Sequence, residues 1–105
     1  MEQVTPAQLK AMRDAGKEFQ LIDVREPYEA EICSIGGTLI PIGEVVQRIE
    51  EIRRDIPVVV HCRSGSRSAA VINALEDRYG FTNLIDLRGG ILAYGKEVDA
   101  SINCD

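Results

Sequence analysis

The chain is predicted to fold as an α/β domain with a mainly parallel sheet, and three observations lead there. Strand-like apolar runs alternate with helix-like stretches from end to end. Residues 56–60 form a continuous apolar run, as expected of a strand covered on both faces. Gly36-Gly37, Gly80 and Gly89-Gly90 punctuate the segments.

The first helix opens at Thr5-Pro6-Ala7-Gln8, with Thr5 suited to the N-cap, Pro6 to the first helical position, and Gln8 placed to close a capping box. Gly16 ends it, and Leu9 and Met12 form its core-facing side. Residues 19–24 (FQLIDV) read as a strand closed by the charged cluster Asp23, Arg25, Glu26 and Glu29 around Pro27, after which short helical structure is expected. Residues 38–40 read as a brief strand stopped by Pro41. Between residues 44 and 54, Val45, Val46, Ile49 and Ile52 fall on one face at helical spacing, which predicts a surface helix. The strand at 56–60 leads to a helix over 68–79, with Ala69, Val71, Ile72 and Leu75 facing inward and Gly80 as C-cap. Residues 83–87 (NLIDL) are the last clear strand, and a short helix over 92–98 follows Gly89-Gly90.

At 105 residues, 45% hydrophobic and 28% charged, the composition is that of a packed chain, and a single domain over residues 1–105 is expected. The net charge of −5, with no basic run, argues against a nucleic-acid partner. No apolar run approaches the roughly 20 residues of a membrane span, and MEQVTPAQ lacks a secretory profile, so no membrane partner and a cytoplasmic location are expected. Cys33, Cys62 and Cys104 form no C-x-x-C pair beside the single histidine. That argues against a metal site and suggests free thiols in a reducing compartment.

The chemistry concentrates in residues 61–68, HCRSGSRS. Cys62 lies just beyond the carboxyl end of a predicted buried strand, the edge at which α/β sheets bind ligands. A loop that leaves a strand and enters a helix can curl its N–H groups around the sulfur as an anion nest. Arg63 and Arg67 add positive charge, and Gly65 permits conformations that a β-carbon hinders. Ser64, Ser66 and Ser68 supply hydroxyls, and Ser68 also suits a helix N-cap or first-turn position. A thiolate of lowered pKa is expected at Cys62. A packed core cysteine is the ordinary alternative, but two unpaired arginines within five residues would cost several kcal/mol to bury beside it.

DVRE at residues 23–26, HCRSGSRS at 61–68 and LRGG at 87–90 together resemble the rhodanese-like sulfurtransferase domains, in their order and approximate spacing over nearly the whole chain. The resemblance implies a single domain with a mainly parallel five-stranded sheet and helices on both faces. It also implies that Cys62 takes the outer sulfur of a donor such as thiosulfate and holds it as a persulfide until a thiol or other nucleophile removes it. Arg63 would meet the small anionic donor, and Arg67 would brace the loop through a carboxylate. Asp23 and Arg25, at the end of a neighbouring strand, would support the site edge by ion pairing. No cofactor beyond the covalent persulfide is implied. The Gly-Gly-Thr variant at residues 36–38, with EVDASINCD, also looks like the domain appended to adenylyltransferases that supply sulfur carriers, which implies a carrier protein as an acceptor.

The chain departs from the family pattern at residues 31–41, where Cys33 lies near the usual place of a histidine. Cys33 is expected to be a buried structural thiol, Cys104 a bystander and His61 a packing residue. Tyr94 stands where relatives often carry tryptophan. Two alternatives accompany the transferase reading. One is a non-catalytic interaction module on the same fold. The other is a phosphatase of the related cysteine-loop type, whose loop would hold five residues between cysteine and arginine; here Arg63, Ser64, Gly65 and Ser66 make four.

Overall fold

The computed structural model describes residues 1–104. Its elements are β1 (Glu2–Val4), α1 (Pro6–Asp14), β2 (Gln20–Asp23), α2 (Pro27–Ile32), β3 (Thr38–Leu39), β4 (Val58–His61), α3 (Ser66–Tyr79), β5 (Leu84–Leu87) and α4 (Gly90–Glu97), with 3₁₀ turns at Ile42–Glu44 and Ile49–Glu51. The five strands run in the order β1-β5-β4-β2-β3. All the pairings are parallel, which puts every strand's carboxyl end on one edge.

Alternate residues of the buried strands feed two cores. Ile22, Val58, Val60 and Leu84 pack with Val71, Ile72 and Leu75 of α3. Val59, Ile85 and Leu87 pack with Leu9 of α1 and with Ile91 and Tyr94 of α4. Full burial of both faces explains why β4 is apolar without alternation. Tyr94 is the expected aromatic wedge, buried and with the Arg13 guanidinium 6.0 Å from its ring centre.

Local signals account for most ends. Thr5 Oγ1 accepts from the Gln8 N–H at 3.1 Å, and Gln8 Oε1 accepts from the Thr5 N–H at 2.8 Å, closing the predicted capping box. Gly80 caps α3 with φ +70°. Helices α3 and α4 each start two residues before the predicted boundary, because Gly65 and Gly89 take left-handed N-cap conformations.

Two elements differ in kind from expectation. The short edge strand β1 carries too little apolar pattern to be read locally and exists through its pairing with β5. The predicted surface helix over 44–54 is a pair of 3₁₀ turns. Val45 and Ile52 are pinned in the core on the α3 face while Val46 is exposed. Bonds such as Ile52 N–H to Ile49 O at 3.1 Å tighten the intervening chain. Its four β-branched residues also favour a regular helix weakly.

Candidate functional site

Cys62 follows β4 directly, and α3 begins four residues later, so the loop has to reverse within a few peptides. Gly65 makes this possible with φ +114°. The Gly65 N–H then donates to Cys62 Sγ at 3.1 Å, and the Ser68 N–H, in the first turn of α3, donates at 3.4 Å. The loop carbonyls turn the other way. Cys62 O and Arg63 O accept from the N–H groups of Ile91 and Leu92 at the start of α4, at 3.0 and 3.1 Å. That close approach needs Gly90, where a β-carbon would stand 2.7 Å from Cys62 O and nearer still to Arg63 O. The Gly-Gly pair therefore helps aim the loop amides at the sulfur.

The Cys62 residue is 1% exposed. Burial alone pushes its thiol pKa up; the Ser68 hydroxyl and the N–H groups of Ser68, Gly65 and Ser64 outweigh this, and the net direction is down. Ser68 Oγ lies 3.5 Å from Sγ and donates to the buried Asp86 carboxylate at 2.6 Å. Ser64 and Ser66 are exposed. The two arginines engage other groups. Arg67 grips Glu29 of α2 with Nη1–Oε1 at 2.7 Å and Nη2–Oε2 at 2.9 Å. Its guanidinium holds the Glu29 carboxyl down at about 2. Arg63 Nη1 reaches the Cys104 carbonyl at 3.4 Å.

Asp23 and Arg25 form a buried ion pair, Arg25 Nη2 to Asp23 Oδ2 at 2.8 Å and Nε to Oδ1 at 3.0 Å. Arg25 also donates to Cys33 O at 2.7 Å and to Cys33 Sγ at 3.3 Å. His61 is fully buried, with its pKa lowered mainly by burial, and its Nε2 is 4.0 Å from Asp23 Oδ2. It lies on the side of the strand opposite Cys62, as alternation requires.

The expectation of three free thiols is corrected. Cys33 and Cys104, 71 residues apart, form a disulfide with Cα atoms 5.0 Å apart, and Cys62 alone is free. Cys33 caps the end of α2, and the tail that follows α4 returns to it; nothing in local spacing points to that pairing. Cys104 is therefore a crosslink and not a bystander. A cavity of about 260 Å³ opens between the crosslink and the loop, lined by Arg25, Tyr28, Glu29, Cys33, Arg63 and Cys104. Glu29, Asp86 and the crosslink went unassigned from sequence. A lone aspartate inside the apolar run NLIDL was the available signal for Asp86.

The family model for the rhodanese-like domain matches residues 5–97. The chain belongs to the rhodanese-like domain family. It is 35% identical over 101 residues to a protein of Mycobacterium tuberculosis named a probable adenylyltransferase/sulfurtransferase, MoeZ; the match covers 90% of this chain and 25% of that protein. This rhodanese-like domain thus spans about a quarter of that relative's length. The crystal structure of a rhodanese-related protein from Thermoplasma volcanium superposes with a TM-score of 0.82 at 31% identity, covering 93% of this chain and 94% of that one. A thiosulfate sulfurtransferase from Pseudomonas aeruginosa superposes at TM-score 0.80 and 27% identity, over 91% of this chain and 19% of that one. No helix among the described residues is long and apolar enough to cross a membrane.

Proposed function

We propose that this rhodanese-like domain is a sulfurtransferase that carries sulfane sulfur on Cys62. The observation that carries the reading is the short loop and first turn of α3 whose Gly65 and Ser68 N–H groups converge on Cys62 Sγ. The Cys62 thiolate attacks the outer sulfur of thiosulfate; the sulfur–sulfur bond of the donor breaks, and sulfite leaves with the electron pair. The anionic persulfide stays among the loop N–H donors. An acceptor thiolate then attacks the outer sulfur, and Cys62 leaves as thiolate.

Arg63, on the rim of the cavity, is the residue proposed to meet the anionic donor; Arg67 holds the loop through Glu29. The acceptor is proposed to be a thiol or a sulfur-carrier protein, a suggestion supported by the combined name of the MoeZ relative. No resident cofactor is invoked, and the cytoplasm is the proposed location. The shortness of the loop favours a sulfur atom over a tetrahedral phosphate.

The test is sulfite release from thiosulfate in a single turnover. Wild type should release one equivalent and Cys62→Ala none, with further release once a thiol or cyanide is added. A wild-type protein that releases no sulfite and takes up no sulfur from a persulfide donor would leave the interaction-module reading in its place.

A further inference from the structure

Asp86 is an acidic side chain only 3% exposed in the middle of the apolar strand β5. Removing a carboxylate from water is costly unless it gains a specific partner. Ser68 Oγ stands 2.6 Å from Oδ1, a separation typical of an O–H donating to a charged oxygen, and the Gln3 side chain also hydrogen-bonds the carboxyl. The same Ser68 oxygen stands 3.5 Å from Cys62 Sγ. Thiol, hydroxyl and carboxyl therefore form a line from the loop through α3 to β5.

The Ser68 hydroxyl carries one proton, with Asp86 Oδ1 at 2.6 Å, Gly65 O at 3.1 Å and Cys62 Sγ at 3.5 Å as its acceptors, and it cannot serve two anions at once. When Asp86 is ionised, Ser68 donates to it and offers only lone pairs to the sulfur, which suits a Cys62 thiol. When Cys62 is a thiolate, the favourable arrangement has Ser68 donating to the sulfur, and Asp86 must then hold a proton and donate it to Ser68. We infer that Asp86 is a positioning residue for Cys62, taking up the thiol proton through Ser68. In that step the Cys62 S–H bond breaks and its proton passes to Ser68 Oγ, while the former hydroxyl proton passes to Asp86 Oδ1. The sulfur keeps its electron pair, and the net charge of the three groups is unchanged. The return of the same protons restores the thiol.

The charged group that bears on this exchange is Arg67 of α3, which is paired with Glu29 and attracts the Cys62 thiolate, favouring the charged sulfur. Opposite Asp86, β1 presents Gln3, which is neutral, and β4 presents Val60. From α3 the facing polar group is Ser68, and from the loop the titratable group is Cys62. On β5's own continuation, Arg88 bonds to Gln3 Oε1 at 3.4 Å. Burial raises the Asp86 pKa, while Ser68 and Gln3 pull it down less, so the net direction suits a group that takes a proton.

The inference rests on Cys62 being the reactive thiol, but its test reads protonation and not sulfur uptake, so either can fail while the other stands. The Asp86 carboxyl is followed by carbon NMR of labelled aspartate, beside the ultraviolet absorbance of the thiolate. In wild type the carboxyl should be protonated where the thiolate first appears, below the second of the two coupled ionisations. Its midpoint should fall by about one pH unit or more, tenfold in proton affinity, in Cys62→Ala. On a Ser68→Ala background, removing Cys62 should produce a clearly smaller fall. Asp86→Asn keeps the shape and can still donate to Ser68; folding of each variant is checked by its amide spectrum. In that variant, alkylation of Cys62 should follow a single ionisation, in place of the coupled profile of wild type. An ionised Asp86 where the thiolate first appears, or a midpoint unaffected by removal of Cys62, would overturn the relay.

Discussion

Two sulfur environments share one rim of this molecule and differ in what surrounds them. Around Cys62, backbone N–H groups converge on a free sulfur from a loop bent by Gly65 and held from outside by α4. Around Cys33, the sulfur is bonded to Cys104, and its donor is the guanidinium of a buried ion pair. Arg63 touches both regions, lying in the loop that follows Cys62 and donating to Cys104 O. The difference lies in what faces each sulfur: loop N–H groups and the Ser68 hydroxyl at Cys62, a paired guanidinium at Cys33. The positive charges are engaged, Arg67 by Glu29 and Arg25 by Asp23, whereas the loop amides have the sulfur as their target.

The strongest way to break the crosslinked side is to remove the carboxylate beneath it. Asp23→Ala leaves the Arg25 guanidinium buried without its ion-pair partner and should cost about 3–5 kcal/mol, measured by urea unfolding. Next comes the crosslink itself. Cys104→Ser should cost about 2–4 kcal/mol, because the bond closes a long loop, while the alkylation rate of Cys62 stays near that of wild type. A large fall in that rate would mean that the two sulfur sites are not separable.

The smallest effect falls on the loop side. Glu29→Gln loses a charge-assisted bidentate contact with Arg67 and should cost about 1.5–3 kcal/mol at neutral pH. Glu29 is held at about 2 when folded, against an ordinary value of 4.5. A depressed carboxyl pKa stabilises the fold above its unfolded value, and that contribution disappears as pH falls from 4.5 through about 2. Acid unfolding of wild type and Glu29→Gln should therefore converge across this window. Curves that stay parallel down to the lower limit would contradict the assignment.

Features written in local sequence were legible. The Thr5–Gln8 capping box, the buried strand ahead of Cys62 and the loop with its small residues all follow from short-range chemistry. What stayed hidden depends on distance along the chain. Strand β1 exists because β5 lies beside it, and the partner of Arg67 became identifiable only when α2 was placed against α3. The crosslink joins residues separated by 71 positions, beyond the reach of any spacing rule. The 44–54 segment shows the opposite failure. Its helical periodicity is real, but burial of Val45 and Ile52 and the poor helix preference of its β-branched residues give two tight turns.

The central claim, that the loop makes Cys62 the sulfur carrier, is tested most directly by locating sulfane sulfur after thiosulfate treatment. Intact mass followed by non-reducing peptide mapping should find one added sulfur on the Cys62 peptide, with Cys33 and Cys104 still joined and nothing added to Cys62→Ala. Wild type that gains no sulfur from thiosulfate or from a persulfide donor, or a gain that persists in Cys62→Ala, would contradict it.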